Sequence, residues 1–181
     1  MSNHSFTSEG VVLARRNFGE ADRIVDIYSR DKGKISLIAK AVRRPSSKKR
    51  GHIEIFSRIS FQAYAGKGMG ILTEVETMDN FEQIRKSIKK VSLAYYFMEV
   101  VNKITREEEE NIELYNVLLS FMERLKTGKE LKELRSEFVE VLLKTLGYWP
   151  KDKSLPFPDK KLEEILERQV NSVRVGKIIL N

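Results

Sequence analysis

Residues 10–40, GVVLARRNFGEADRIVDIYSRDKGKISLIAK, carry the periodicity that decides the fold. Within this run, 10–16, 23–29 and 34–40 are rich in β-branched residues and alternate apolar with polar side chains, the pattern of strands with one buried face. Asn17–Glu20 and Asp31–Gly33 separate the three, each with a glycine to supply the positive φ of a tight turn. The run reads as two successive hairpins. Beyond it, residues 42–51 (VRRPSSKKRG) have no apolar period and hold proline, glycine and two serines, so they form a loop. Alternation returns over Ile53–Tyr64 and Ile71–Met78, joined across Ala65–Gly70. Five short strands in succession predict a closed or nearly closed barrel of the OB type, because an open sheet of this size would leave two long, sticky edges.

From Asn80 the period becomes helical. Ile88, Val91, Tyr95, Met98 and Val101 make one stripe; Ile112, Tyr115, Leu118 or Leu119, Met122 and Leu125 a second; Leu131, Leu134, Phe138, Val141, Leu142 and Leu146 a third. The acidic run Glu107–Glu110 near the start of the second helix, and Arg124 and Lys126 near its end, both complement a helix dipole. Gly147 and Pro150 end the third helix. A polar linker, 151–158, precedes a last amphipathic helix with Leu162, Ile165, Leu166 and Gln169-Val170. The expected class is α+β: an OB-type barrel over 1–79 and an all-α domain over 80–181.

The chain has 181 residues, no cysteine and two histidines, His4 and His52. Disulfides, thiolate metal sites and cysteine nucleophiles are thereby excluded, and two distant histidines do not make a zinc site, so no cofactor or metal is expected. The start MSNHSFTSEG lacks a signal-peptide pattern, and no window approaches the ~20 apolar residues of a spanning helix. The expectation is a cytoplasmic protein. Gly66–Gly70 runs between strands without the GxxxxGK[ST] spacing of a phosphate loop, and no nucleophile elbow or distinguishable acid–base pair exists, so nothing points to an enzyme.

The net charge is +7, and its distribution is uneven. Arg30–Arg50 holds nine Lys/Arg against one acidic residue, Asp31, so that this stretch alone exceeds the surplus of the whole chain. Several flexible cations on one loop release counterions when they meet a phosphate backbone, and barrels of this type grip oligonucleotides with their loops. The candidate DNA-binding residues are Arg15 and Arg16 beside the first turn, Arg23 after it, Lys34 and Lys40 on the third strand, Arg43, Arg44, Lys48, Lys49 and Arg50 on the loop, and Lys67 in the glycine-rich turn. Arg23 has an alternative role, pairing with Asp22 or Glu20 to brace the turn. Phe18, Tyr28, Phe61 and Tyr64 are placed either to stack on bases or to pack the barrel. This chemistry suits DNA or RNA, so an RNA-binding translation or ribosome-associated factor stands as the alternative; an anionic membrane is a weaker fit, for want of an amphipathic apolar half.

Six motifs in one order, Glu9–Leu13, Gly19–Val25, Lys32–Ser36, Lys40–Arg44, Leu72–Glu76 and Leu146–Tyr148, resemble the RecO family of bacterial DNA-repair proteins. The resemblance implies an OB barrel followed by a helical domain. It implies a non-catalytic recombination mediator that binds single- and double-stranded DNA, anneals strands and helps load recombinase, and it places the protein in the nucleoid. It also implies two partners, RecR and the acidic C-terminal tail of the single-strand-binding protein. Many members carry a four-cysteine zinc module after the Leu-Gly-Tyr motif; here the 151–158 linker stands in that place, which implies a short form without the module.

Overall fold

The computed structural model describes residues 4–65 and 68–166. Two compact units emerge, residues 1–80 with 105–111 and residues 81–104 with 112 onward.

In the first unit, strands β1 (His4–Phe18), β2 (Asp22–Ser29), β3 (Gly33–Ala39), β4 (Arg58–Ala65) and β5 (Gly70–Asp79) close a barrel in the order β1-β2-β3-β5-β4. All pairings are antiparallel except β3 with β5. The expected five-stranded barrel is therefore the fold. Its interior is filled by Val12, Val25, Ile27, Ile35, Leu37, Ala39, Ile59, Phe61, Ala63 and Leu72, alternate residues of each strand, as a period of two requires.

The fourth strand begins later than the alternation suggests. Residues 53–57 leave the sheet: Phe56 adopts a left-handed backbone, φ 59°, and its N–H donates to the Val12 carbonyl at 2.8 Å. This exchange sits beside the β1 bulge between Val12 and Ala14. Ile53 joins the barrel core and plugs its end, and Phe56 is fully buried in the same turn, so their hydrophobicity does not line a strand face. The adjacent pair Ile55-Phe56 already breaks a period of two.

Residues 105–111 belong to the barrel unit, although helical periodicity places them in the other half. The Glu108 N–H donates to the Lys34 carbonyl (2.9 Å), the Ser36 hydroxyl to Glu107 (2.9 Å), and the Tyr28 hydroxyl to the Asn111 carbonyl (3.4 Å). The acidic run therefore lies along the outer face of β2 and β3 and does not form a first helical turn. Burial, then Glu109, push the Tyr28 phenol up to about 12. Gly33, at φ +64°, permits the approach, because an added Cβ would meet the Glu109 carbonyl oxygen. Gly33→Ala should cost about 1–3 kcal/mol from the strained backbone and the displaced strap. Hydrogen exchange at the Glu108 amide is the readout; unchanged protection and stability would refute the requirement for glycine.

The second unit holds α1 (Glu82–Arg85), α2 (Ile88–Ile104), α3 (Ile112–Thr127), α4 (Leu131–Thr145) and α5 (Pro158–Leu166). Helix α4 ends on Gly147 at φ 77°, with the Gly147 N–H donating to the Lys144 carbonyl and that of Tyr148 to Leu143, a Schellman cap. Phe97, Phe121 and Phe138 form its aromatic centre, with Phe97 and Phe138 at 4.0 Å between ring centroids. Arg124 donates to both oxygens of Glu137 (2.8 and 2.6 Å), tying α3 to α4. Tyr96, Phe97 and Tyr115 are buried, but Ile88 and Tyr95 are 71% and 41% exposed. The i, i+3, i+7 stripe missed this because α2 buries a broad arc centred on Leu93, Phe97 and Val100, too wide for one line of positions.

Candidate nucleic-acid interface

The loop between β3 and β4 starts with Ala41 in a left-handed conformation, φ 54°, unusual for a residue with a side chain. The turn between β1 and β2 holds it there. Asp22 accepts from the Ala41 N–H at 2.7 Å, and the Arg43 N–H donates to the Ala21 carbonyl at 2.9 Å. The Arg43 guanidinium reaches the Glu20 carbonyl at 3.1 Å. Asp22 is thus engaged with the loop backbone, while the Arg23 Nε–H donates to Asn17 (3.4 Å), so the expected alternative of a local Arg23–Asp22 brace is replaced. Val42 and Ile53, one from each side of the loop, join the barrel core and close this mouth.

Strand parity then sorts the arginines. Arg15 pairs with Val25 and Asn17 with Arg23. Val25 is an interior residue, so Arg15, Asn17 and Arg23 continue the inward row beyond the last apolar layer, to the rim of the mouth. Arg43 and Arg50 arrive there from the loop. Burial and the neighbouring Arg15, with lesser contributions from Arg43 and Arg50, hold the Arg23 guanidinium below its ordinary range, while Glu54 opposes them. Four guanidiniums from three segments therefore share one field. The Arg15 guanidinium donates to Glu54 at 2.7 Å.

The other flank of the loop forms one wall of a cleft of ≈ 890 Å³, lined by Lys40, Arg44, Lys48 and Lys49 and, across from them, by Glu74 and Glu76 of β5. A 3₁₀ turn, Lys48–His52, shapes this wall. The Lys49 ammonium donates to the Leu72 carbonyl at 3.2 Å, so it braces the loop on β5. Lys40, Arg44, Lys48 and Arg50 are exposed.

Not all the candidates gather here. Arg16 points to the outer face and pairs with Asp26 at 3.1 Å. Lys34 shares that face with Tyr28, at the far end of β3 from Lys40, and its backbone pairs in a parallel β-bridge with Glu107. At ~3.3 Å per residue the two lysines stand about 20 Å apart along the strand. Lys67 lies outside the described residues, as do Gln169 and Val170 of the expected last helix. Of the aromatic candidates, Tyr28 and Phe61 are buried at 1% and 2% exposure and are packing residues, whereas Phe18, at 47%, remains open at the β1–β2 turn. Glu54 escaped the sequence reading, since alternation placed it in a strand; the broken period at Ile55-Phe56 was the available signal.

Among the described residues no cluster of three or more His, Cys, Asp or Glu is arranged to hold a metal. No helix among them is long and apolar enough to cross a membrane.

Residues 1–81 match the model for "Recombination protein O N terminal", and residues 85–151 the model for "Recombination protein O C terminal". A protein from Roseiflexus sp. is 30% identical over 150 residues, covering 83% of this chain and 53% of its own length. One from Pelotomaculum thermopropionicum is 32% identical over 145 residues, covering 80% and 56%. A third, from Dehalococcoides mccartyi, is 32% identical over 161 residues, covering 88% and 63%. All three carry the name DNA repair protein RecO. The chain thus spans between about half and two thirds of the length of these relatives.

Proposed function

The chain belongs to the recombination protein O family, and from that premise we propose that its barrel half, residues 1–79, binds DNA through the mouth arginines and the Lys40–Arg50 loop. The observation that carries this reading is the docking of the basic loop on the β1–β2 turn, which gathers Arg15, Arg23, Arg43 and Arg50 on one rim beside the Lys40–Arg44–Lys48 wall. Phosphates meet cations there, and Phe18 offers an open ring to a base. The protein acts in repair as a mediator without catalysis. It anneals strands and helps load recombinase together with RecR and the single-strand-binding protein tail, in the cytoplasm at the nucleoid, with the helical half, 80–181, as support.

The test is binding of single-stranded DNA over a series of NaCl concentrations, with RNA of the same sequence and anionic vesicles as competitors. Four to six phosphate contacts should give a log–log salt slope of about −3 to −4. Loss of the signal to RNA alone would turn the reading to an RNA-binding factor; competition by vesicles alone would turn it to a membrane surface. Absence of binding at low salt would end it.

A further inference from the structure

We propose that Glu54 is the resident anion of the arginine rim, a carboxylate that a nucleic-acid phosphate must displace from Arg15 in order to seat. The proposal rests on the reading of the barrel as a DNA-binding module and assigns to it a residue that weakens binding.

Three observations converge on Glu54. It lies between Ile53, which joins the barrel core, and Phe56, also fully buried, and its carbonyl accepts from the Ser57 N–H at 3.1 Å, so its backbone is held independently of the ion pair. From there its Oε1 accepts from the Arg15 guanidinium at 2.7 Å, while the carboxylate remains 42% exposed, open to exchange. Arg15, at 23% exposure, is held on the inward row of β1 beside Asn17 and Arg23. Asp22 is committed to the Ala41 amide, and Glu54 is the carboxylate that acts on the Arg23 guanidinium while bonded to Arg15.

A carboxylate offers two oxygens to one guanidinium, whereas a phosphodiester presents its charge on a backbone that repeats and engages several cations at once. Exchange is consequently favourable for a strand that reaches Arg23, Arg43 and Arg50 as well, and unfavourable for an isolated anion. Glu54 thereby raises the number of contacts a ligand must make before it displaces the resident group, which favours an extended polyanion over free phosphate.

The experiment measures binding of single-stranded DNA by the full chain over a salt series for the parent protein, Glu54→Gln, Arg15→Ala and the double variant. Glu54→Gln should bind about threefold to fivefold more tightly at low salt, with a slope steeper by up to about 0.7, the share of one added phosphate contact. The gain should vanish in the Arg15→Ala background, because the coupling runs through that pair. Unchanged or weaker binding by Glu54→Gln at an unchanged melting temperature overturns the proposal, as does a gain that persists without Arg15, which would be a general charge effect. Should Glu54→Gln fold poorly, Glu54→Asp, which keeps the charge and retracts it by one methylene, must still give a smaller gain. The underlying reading fails separately: it falls if the parent protein does not bind DNA, or if removal of the loop cations leaves binding unaltered.

Discussion

Replacing Lys40, Arg44, Lys48 and Arg50 together by alanine is expected to weaken single-stranded DNA binding by about a hundredfold at low salt and to reduce the magnitude of the salt slope by about 3, since each phosphate contact on a single strand contributes about 0.7. These four are chosen because they are exposed. Arg43 and Lys49 carry equal charge but also hold the loop, through the Glu20 and Leu72 carbonyls, so their loss would mix binding with loop position. Exposed substitutions of this kind change stability within about 0.5 kcal/mol each, and the melting temperature should hardly move. Lys89, Lys129, Lys132 and Lys160, exposed lysines of the helical unit, replaced together by alanine serve as the charge-matched control and should leave the slope unaltered. An unchanged affinity and slope in the fourfold variant would remove the loop from the interface.

The second large effect concerns the helical unit. Phe97→Ala is expected to destabilise that unit by about 3–5 kcal/mol, the cost of emptying a large aromatic site in a packed core. Phe97 is fully buried and touches both other rings of the centre, with centroids at 4.0 Å to Phe138 and 6.1 Å to Phe121. These rings come from α2, α3 and α4, so the cavity would open where three helices meet and could not be closed by the movement of one. Urea unfolding followed by far-ultraviolet circular dichroism is the measurement. The exposed neighbour Tyr95→Ala should cost under about 1 kcal/mol, and equal losses at the two positions would show that the assigned buried face is wrong.

Much of the barrel could be read from residues 10–40, because strand parity is a local property: alternate side chains face one way whatever the strand packs against. The same parity, once the register is known, separates Arg15 and Arg23 from Arg16 and Lys34, yet the sequence grouped all four as phosphate ligands. The register of a pair depends on the bulge between Val12 and Ala14, and nothing in the local composition marks that extra residue. The plug at 53–57 was hidden for a related reason. A buried turn and a buried strand both read as apolar, and only the adjacency of Ile55 and Phe56 told against a strand.

Composition and local periodicity were sufficient for the α+β class, the five-stranded barrel, the concentration of positive charge in Arg30–Arg50 and, through short ordered motifs, the family. These follow from properties each segment has alone. Which cations share a field does not. Arg15 and Glu54 are 39 positions apart and meet at 2.7 Å, and the acidic 107–110 run meets β3 from more than 70 positions away. Both depend on long-range hydrogen bonds, from Asp22 and Ala21 to the loop and from Lys34 to the strap, whose partners become neighbours after the barrel has closed.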